Sequence, residues 1–208
     1  MSKVFVDVGV SLDGYIAGPN RGPGNPLGDR GTSIHQWMFQ TATFLDRIGL
    51  TGGQTSPDDT LVKQVFDRAG AYVMGRRMFD EGEVGWPENP PFRAPVFVLT
   101  RSARQPWSRT GGTTFFFVTD GIESALRQAT TAARGKDVRI SGGAATVAQY
   151  LNAGLVDDLT LHVAPVLLGD GVRLFEQARP DAIALAQAQA QASGSPLVTH
   201  IRYTITRR

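Results

Sequence analysis

The chain has 208 residues, of which 41% are hydrophobic and 19% charged, with a formal net charge of +2 and no cysteine. That length can bury a sizeable core, and the composition excludes a disordered chain. The near-neutral balance excludes a strongly basic nucleic-acid-binding surface, and the missing cysteines exclude disulfides and thiolate chemistry. The opening residues Met1-Ser2-Lys3-Val4-Phe5 lack the apolar core of a signal peptide, and no apolar run approaches the roughly 18 residues of a membrane span. A cytoplasmic, soluble protein is expected, with a small-molecule substrate and no nucleic-acid or membrane partner.

Residues 4–10 are rich in valine and phenylalanine, interrupted only by Asp7 and Gly9, and predict a buried strand. Residues 11–17 follow with an Asp13-Gly14 turn signal. Residues 18–31 hold five glycines, three prolines and two asparagines and predict a loop. A loop of that length is usually functional or mobile. Apolar residues at Ile34, Trp37, Met38, Phe44, Leu45 and Ile48 approximate one helix. Ser56-Pro57-Asp58-Asp59 is a helix start, with a cap, a first-turn proline and two acids at the positive end. Its apolar face is Leu61, Val62, Val65 and Phe66, and Gly70 is the expected stop. Residues 71–75 predict a short buried strand, from which residues 76–80 turn into another helix.

Residues 95–101 and 113–119 predict two more strands, the second with three consecutive phenylalanines. Asp120 is the expected cap of the next helix, with Glu123 in the capping-box position. Residues 138–151 then give a strand, a double glycine and an amphipathic helix ending at Gly154. Glycines at such a junction let backbone approach a ligand, and a helix N-terminus presents unpaired N–H groups, so the stretch suits a phosphate. It is neither a complete dinucleotide fingerprint nor a P-loop. Residues 158–163 alternate as a half-buried strand. Residues 183–192 combine helix-favouring composition with strand-like alternation, and with 197–205 they predict a terminal antiparallel hairpin. The strand–helix alternation predicts one α/β domain over residues 1–208.

Several of these segments, in this order, resemble one family. They are Ser11-Leu12-Asp13-Gly14-Tyr15-Ile16-Ala17, Met74-Gly75-Arg76-Arg77, Val98-Leu99-Thr100-Arg101, Ser141-Gly142-Gly143-Ala144, Pro165-Val166-Leu167-Leu168-Gly169-Asp170-Gly171 and Leu174-Phe175-Glu176. The chain resembles the dihydrofolate reductase-like superfamily, most closely the reductase domain of the bifunctional riboflavin-biosynthesis deaminase–reductase and its stand-alone relatives. The resemblance implies a three-layer αβα fold with a mostly parallel central sheet, and NADPH as hydride donor to a small heterocyclic or sugar-derived substrate. It resembles 5-amino-6-(5-phosphoribosylamino)uracil reductase in this. Dihydrofolate reduction, or nucleotide binding without catalysis, are the alternatives. A homodimer is also implied.

Carried over by position, the resemblance sets Ser141, Gly142, Gly143, Ala144, Ala145 and Thr146 against the cofactor pyrophosphate. Gly75, Arg76 and Arg77 open a second helix that faces the phosphates. Thr100 and Arg101 stand where a 2′-phosphate is held, Ile16 and Ala17 cover the nicotinamide, and Asp13 is the acid near the substrate. Two departures stand out: Met78 occupies a position that is often threonine, and the folate-binding carboxylate has no match, Asp46 being poorly placed. The zinc ligands of a deaminase are absent from the sequence. Outside the resemblance, Trp37 is a candidate to stack on a substrate ring. His35, His162 and His200 are scattered without metal spacing, so a structural or surface role and no metal are expected.

Overall fold

The computed structural model describes residues 2–192 and 195–206. In chain order it has β1 (Val4–Ser11), β2 (Tyr15–Ala17), a 3-10 turn at Gly31–His35, α1 (Gln36–Phe39), α2 (Ala42–Arg47), α3 (Pro57–Arg68), β3 (Ala69–Gly75) and α4 (Arg76–Glu83). There follow β4 (Val96–Leu99), β5 (Trp107–Ser108), β6 (Thr114–Val118), α5 (Ile122–Ala132), β7 (Asp137–Gly142) and α6 (Ala144–Asn152). The chain closes with β8 (Asp158–Ala164), β9 (Val172–Arg173), β10 (Ala184–Ala192) and β11 (Thr199–Thr206).

Nine strands form one sheet in the order β10-β11-β8-β1-β7-β3-β4-β6-β5. The six strands from β8 to β6 run parallel. The terminal hairpin β10–β11 and the short β5 add antiparallel edges. β2 and β9 pair separately. The central strands carry apolar side chains on both faces, as parallel strands covered by helices must. On one face Val4, Val6, Val73, Val138 and Ile140 pack with Ala125, Ala129, Val147 and Leu151 of α5 and α6. On the other, Phe5, Tyr72, Met74 and Val98 pack with Phe79 of α4. On that same side, Trp37 packs with Val62 and Phe66 of α3. Helices thus cover both faces of a mostly parallel sheet, in three αβα layers, and Ala184–Ala192 of the 183–192 segment is a strand.

Three local expectations are corrected. The helix expected over 34–48 is three short pieces. Thr41 breaks it, because its hydroxyl donates back to the Met38 carbonyl (2.7 Å) and accepts from the Phe44 amide (3.4 Å), ending α1 and capping α2. Asp120 does not cap α5. Gly121, at φ 97°, takes the cap position without a side-chain bond. Gly70 is also no helix stop, since it lies inside β3, where a Cβ would meet the Ala133 carbonyl oxygen at 2.5 Å. The turn expected at 193–196 lies partly outside the described residues. Among the described residues no helix is long and apolar enough to cross a membrane.

Phe79 is fully buried, with its ring centroid 5.1–5.8 Å from those of Phe117, Phe115 and Trp86, each edge-on. Phe79→Ala should therefore cost about 3–5 kcal/mol in denaturant unfolding. A loss under about 1 kcal/mol would mean that this aromatic cluster does not anchor α4.

Candidate active site

The parallel strands end at one edge of the sheet, and two helices start there side by side. β7 passes through Gly142 (φ 124°) and a cis Gly142–Gly143 peptide into α6, and β3 passes through Gly75 into α4. A Cβ on Gly75 would stand 2.5 Å from Thr146 Oγ1, so the absent side chain allows the two helix starts to touch. Neither helix has a side-chain cap or an acid in its first turn. The Thr146 and Val147 amides bond back to the Gly143 carbonyl, which leaves those of Ala144 and Ala145 for an outside acceptor. Gly143 has no atom within 4 Å of where a Cβ would sit. Arg76 donates to Asp80 (2.7 Å) and to Thr100 Oγ1 at the end of β4 (3.3 Å). Arg101 follows on the exposed surface. Two positive helix ends, open backbone and nearby guanidinium groups form a cradle whose chemistry fits a dinucleotide's phosphates.

Beside this cradle lies a cavity of about 450 Å³. Most of its wall is apolar: Trp37, Met38, Phe39 and Phe44 from the α1–α2 region, Val62 and Phe66 from α3, Met78 and Trp86 from the α4 region. Ile16, Ala17, Ser141, Gly142 and Gly143 line it too. Its polar wall is the sheet itself: Asp7 on β1, Arg139 on β7, His162 on β8, with His35 above Gly9. A Cβ on Gly9 would lie 2.8 Å from the His35 ring, so glycine there admits the imidazole against the strand.

Arg139 Nη2 donates to the Asp7 carbonyl (2.7 Å) and carboxylate (3.2 Å). Burial alone would raise the Asp7 carboxyl, but His162 and the Arg139 guanidinium beside it outweigh burial and hold it down to about 2. His35 is pushed down to about 4 by burial and by the same neighbours, so it is neutral at ordinary pH. The cavity's other cation, Arg21, is paired with buried Glu81, whose second oxygen takes Arg77 (2.8 Å). Donors are nevertheless left over. Trp37 Nε1, Arg139 Nε and Ser141 Oγ are buried and have no hydrogen-bond partner among the described residues.

The chain belongs to the RibD C-terminal domain family. The match spans residues 2–199. The uncharacterized protein YyaP of Bacillus subtilis is 27% identical over 179 residues, covering 83% of this chain and 80% of that protein. A putative riboflavin biosynthesis protein from Shewanella sp. PV-4 superposes with a TM-score of 0.68 at 21% identity, over 100% of both chains. Dihydrofolate reductase from Enterococcus faecalis, complexed with NADP(H), gives a TM-score of 0.53 at 13% identity, over 99% of this chain and 96% of that one. The Thermotoga maritima diaminohydroxyphosphoribosylaminopyrimidine deaminase/5-amino-6-(5-phosphoribosylamino)uracil reductase gives 0.56 at 13% identity, over 99% of this chain and 57% of the longer one. These likenesses show a dihydrofolate reductase-like fold, and the family is one of reductase-type domains.

The sequence-predicted residues separate into three groups. Ile16, Ala17, Trp37, Ser141, Gly142 and Gly143 line the cavity. Gly75, Arg76, Thr100, Ala144, Ala145 and Thr146 form or flank the cradle beside it, with Arg101 next to Thr100. Asp13 and Arg77 stand apart. Asp13 lies outside the cavity wall, and its carboxylate accepts from Ser11 Oγ (2.6 Å) and from the amides of Leu168 (3.1 Å) and Gly169 (2.7 Å). It closes the loop after β8 onto the turn after β1. Asp46 is exposed and paired with Arg93. Trp37 is no open stacking platform: it is buried, with its ring 4.8 Å from His162 and 5.0 Å from His200. Sequence reasoning missed Asp7, Arg139, His35 and His162. Asp7 carried a signal, as a charge inside a valine-rich strand.

The Ser11 hydroxyl, with the two amides against the cost of partial burial, lowers the Asp13 carboxyl from 3.8 to about 2. A depressed carboxyl stabilises the fold above its unfolded value, and that contribution is lost as pH falls through the folded one. Wild type should therefore exceed Asp13→Asn in urea midpoint by a constant margin above pH 3.8, and the margin should vanish toward about pH 2. A margin that persists in strong acid would show that the carboxylate charge is not what holds the turn.

Proposed function

We propose that this chain is an NADPH-dependent reductase that transfers hydride to a small, flat, acceptor-bearing heterocycle. The observation that carries the reading is the paired, uncapped starts of α4 and α6 opening beside a mostly apolar cavity. Membership of a reductase-type family supports it. In this reading the amides of Gly143, Ala144 and Ala145 hold the pyrophosphate, with Ser141 and Thr146 supporting the turn. Gly75 and Arg76 approach it from α4, and Thr100 and Arg101 take the 2′-phosphate. Ile16 and Ala17 lie over the nicotinamide, and NADPH bound there would supply the hydride.

The cavity narrows the substrate class. Its arginines, Arg139 and Arg21, are each already paired with a buried carboxylate, Asp7 and Glu81, which makes them poor partners for a phosphorylated sugar. Its unfilled polar atoms include the donors of Trp37, Arg139 and Ser141 in an aromatic surround. Those features fit a planar ring with carbonyl or imine acceptors. Positioning such a ring against the nicotinamide would provide most of the rate enhancement.

Two substitutions test the cofactor half. Ala145 is exposed in the first turn of α6. Ala145→Asp should leave thermal stability unchanged or slightly raised, since an acid there favours the helix dipole by about 0.3–1 kcal/mol. It should weaken NADPH in calorimetric titration by tenfold or more, about 1.4 kcal/mol. Unchanged affinity would show that phosphate does not sit on α6. Arg101→Ala should weaken NADPH at least tenfold more than NADH. Equal losses for both would remove Arg101 from the 2′-phosphate.

A further inference from the structure

His162 and His200 stand opposite each other on β8 and β11, with Nδ1 atoms 2.7 Å apart and rings nearly perpendicular. At that distance the two nitrogens share a hydrogen: one ring donates and the other accepts. Each outer nitrogen faces a carboxylate. His162 Nε2 is 3.1 Å from Asp7 Oδ1, close enough to pair but out of hydrogen-bond line, and His200 Nε2 is 3.3 Å from Asp58 Oδ1. The row Asp7–His162–His200–Asp58 therefore has two hydrogen bonds, His162–His200 and His200–Asp58, and one close N···O approach, His162 to Asp7. Two neutral imidazoles bring two hydrogens, and the two hydrogen bonds use both. His162 Nε2 would then hold a bare lone pair 3.1 Å from the buried Asp7 carboxylate, an uncompensated arrangement that low dielectric makes costly.

A third hydrogen removes the conflict and balances the charge. The histidine pair then carries +1 and Arg139 carries +1, against Asp7 and Asp58. Among the described residues, His35, packed over Gly9 and neutral, and the buried Tyr72 hydroxyl also lie near the row. We propose that His162 and His200 share one extra proton, and that His162, the member of the pair that lines the cavity, is the acid that protonates the bound acceptor. Burial and the neighbouring His162 depress the charged form of His200, against the pull of Asp58, and it is the His162 Nε2 facing Asp7 that lacks a hydrogen in the neutral pair. His162 and His200 are both under 5% exposed, so bulk water does not compete for that proton.

The step rests on the reductase reading. Hydride adds to the acceptor's carbon, the C=N or C=O π pair becomes a lone pair on the heteroatom, and His162 gives that atom its Nε2 proton. The products are the reduced amine or alcohol, NADP+ and a neutral histidine pair, which regains a proton from water between turnovers. Asp13, bonded into its turn, is not needed for this chemistry.

The test begins with the full chain, ligand-free and labelled with nitrogen-15 histidine, and with His35→Gln to assign signals. The NMR count expected at neutral pH is three ring hydrogens over His162 and His200. Asp58→Asn should lower the pair's titration midpoint by about one pH unit or more. A count of two, maintained down to about pH 5, overturns the shared proton whatever the enzyme reduces. The kinetic arm uses NADPH with the cyclic imine dihydroisoquinoline. His162→Gln should cut kcat about a hundredfold, with NADPH affinity within about twofold, and abolish the fall in rate above the pair's midpoint. An unchanged rate and pH profile in that variant overturns the acid assignment. If wild type reduces nothing, the reductase reading falls and the acid role with it, and the NMR count alone decides the shared proton.

Discussion

Asp7 is a charge in the middle of the sheet, and the site is arranged to satisfy it. A buried carboxylate is tolerated only when it is paired and hydrogen-bonded, and removing a partner from such a pair typically costs about 3–5 kcal/mol. Asp7 takes Arg139 from β7 on one side and His162 from β8 on the other. Its strand is thereby tied to both neighbours by side chains as well as by the parallel ladder. A second buried carboxylate does the same lower down: Asp158, 1% exposed, accepts from Arg68 at the end of α3 (2.6 Å) and Arg202 on β11 (3.0 Å). Between them these anions fix α3 and the terminal hairpin to the sheet, and the cavity is the space that remains above.

The result is a division of labour across the sheet edge. Toward β3 and β7 the chain offers backbone, helix ends and exposed arginines, the elements that meet phosphates. Toward β8 and β11 it offers imidazoles and carboxylates with little solvent. The cavity spans the two, so in the proposed reading a reductant held on one side and an acceptor on the other would meet over β1. Strand spacing sets the distance: His162 and Gly142 lie two strands apart, roughly 10 Å, the width of a bicyclic ring system.

Much of the fold was legible from periodicity. The strand over 4–10, the helix after Ser56, the 138–151 strand–glycine–helix unit and the terminal hairpin all lie where alternation and capping residues put them. Local competition defeated the rest. At Thr41 a side chain outbid the backbone for hydrogen bonds, and at Gly121 a positive φ displaced the expected aspartate cap. The cradle was legible because glycines and helix starts are local in sequence. The polar wall was not. His162 and His200 are 38 residues apart, and they meet because an antiparallel pairing sets them in register. Nothing short of the strand register could have turned scattered histidines into a buried pair.

The unequal walls of the cavity carry a stereochemical consequence. A planar guest whose acceptors must reach Arg139, Ser141 and Trp37 has one edge fixed, and its opposite edge is left to phenylalanines and methionine. Turning the guest end for end would strand its polar atoms in that apolar surround. In the proposed reading, a guest turned over in place would keep its polar edge but exchange its acceptors between the β7 donors and Trp37, so an unsymmetrical ring would present one face to Gly142 and Gly143, and a new stereocentre formed there would have a single configuration. That configuration is dictated by which strand carries each polar side chain, and so by the pleat of the sheet.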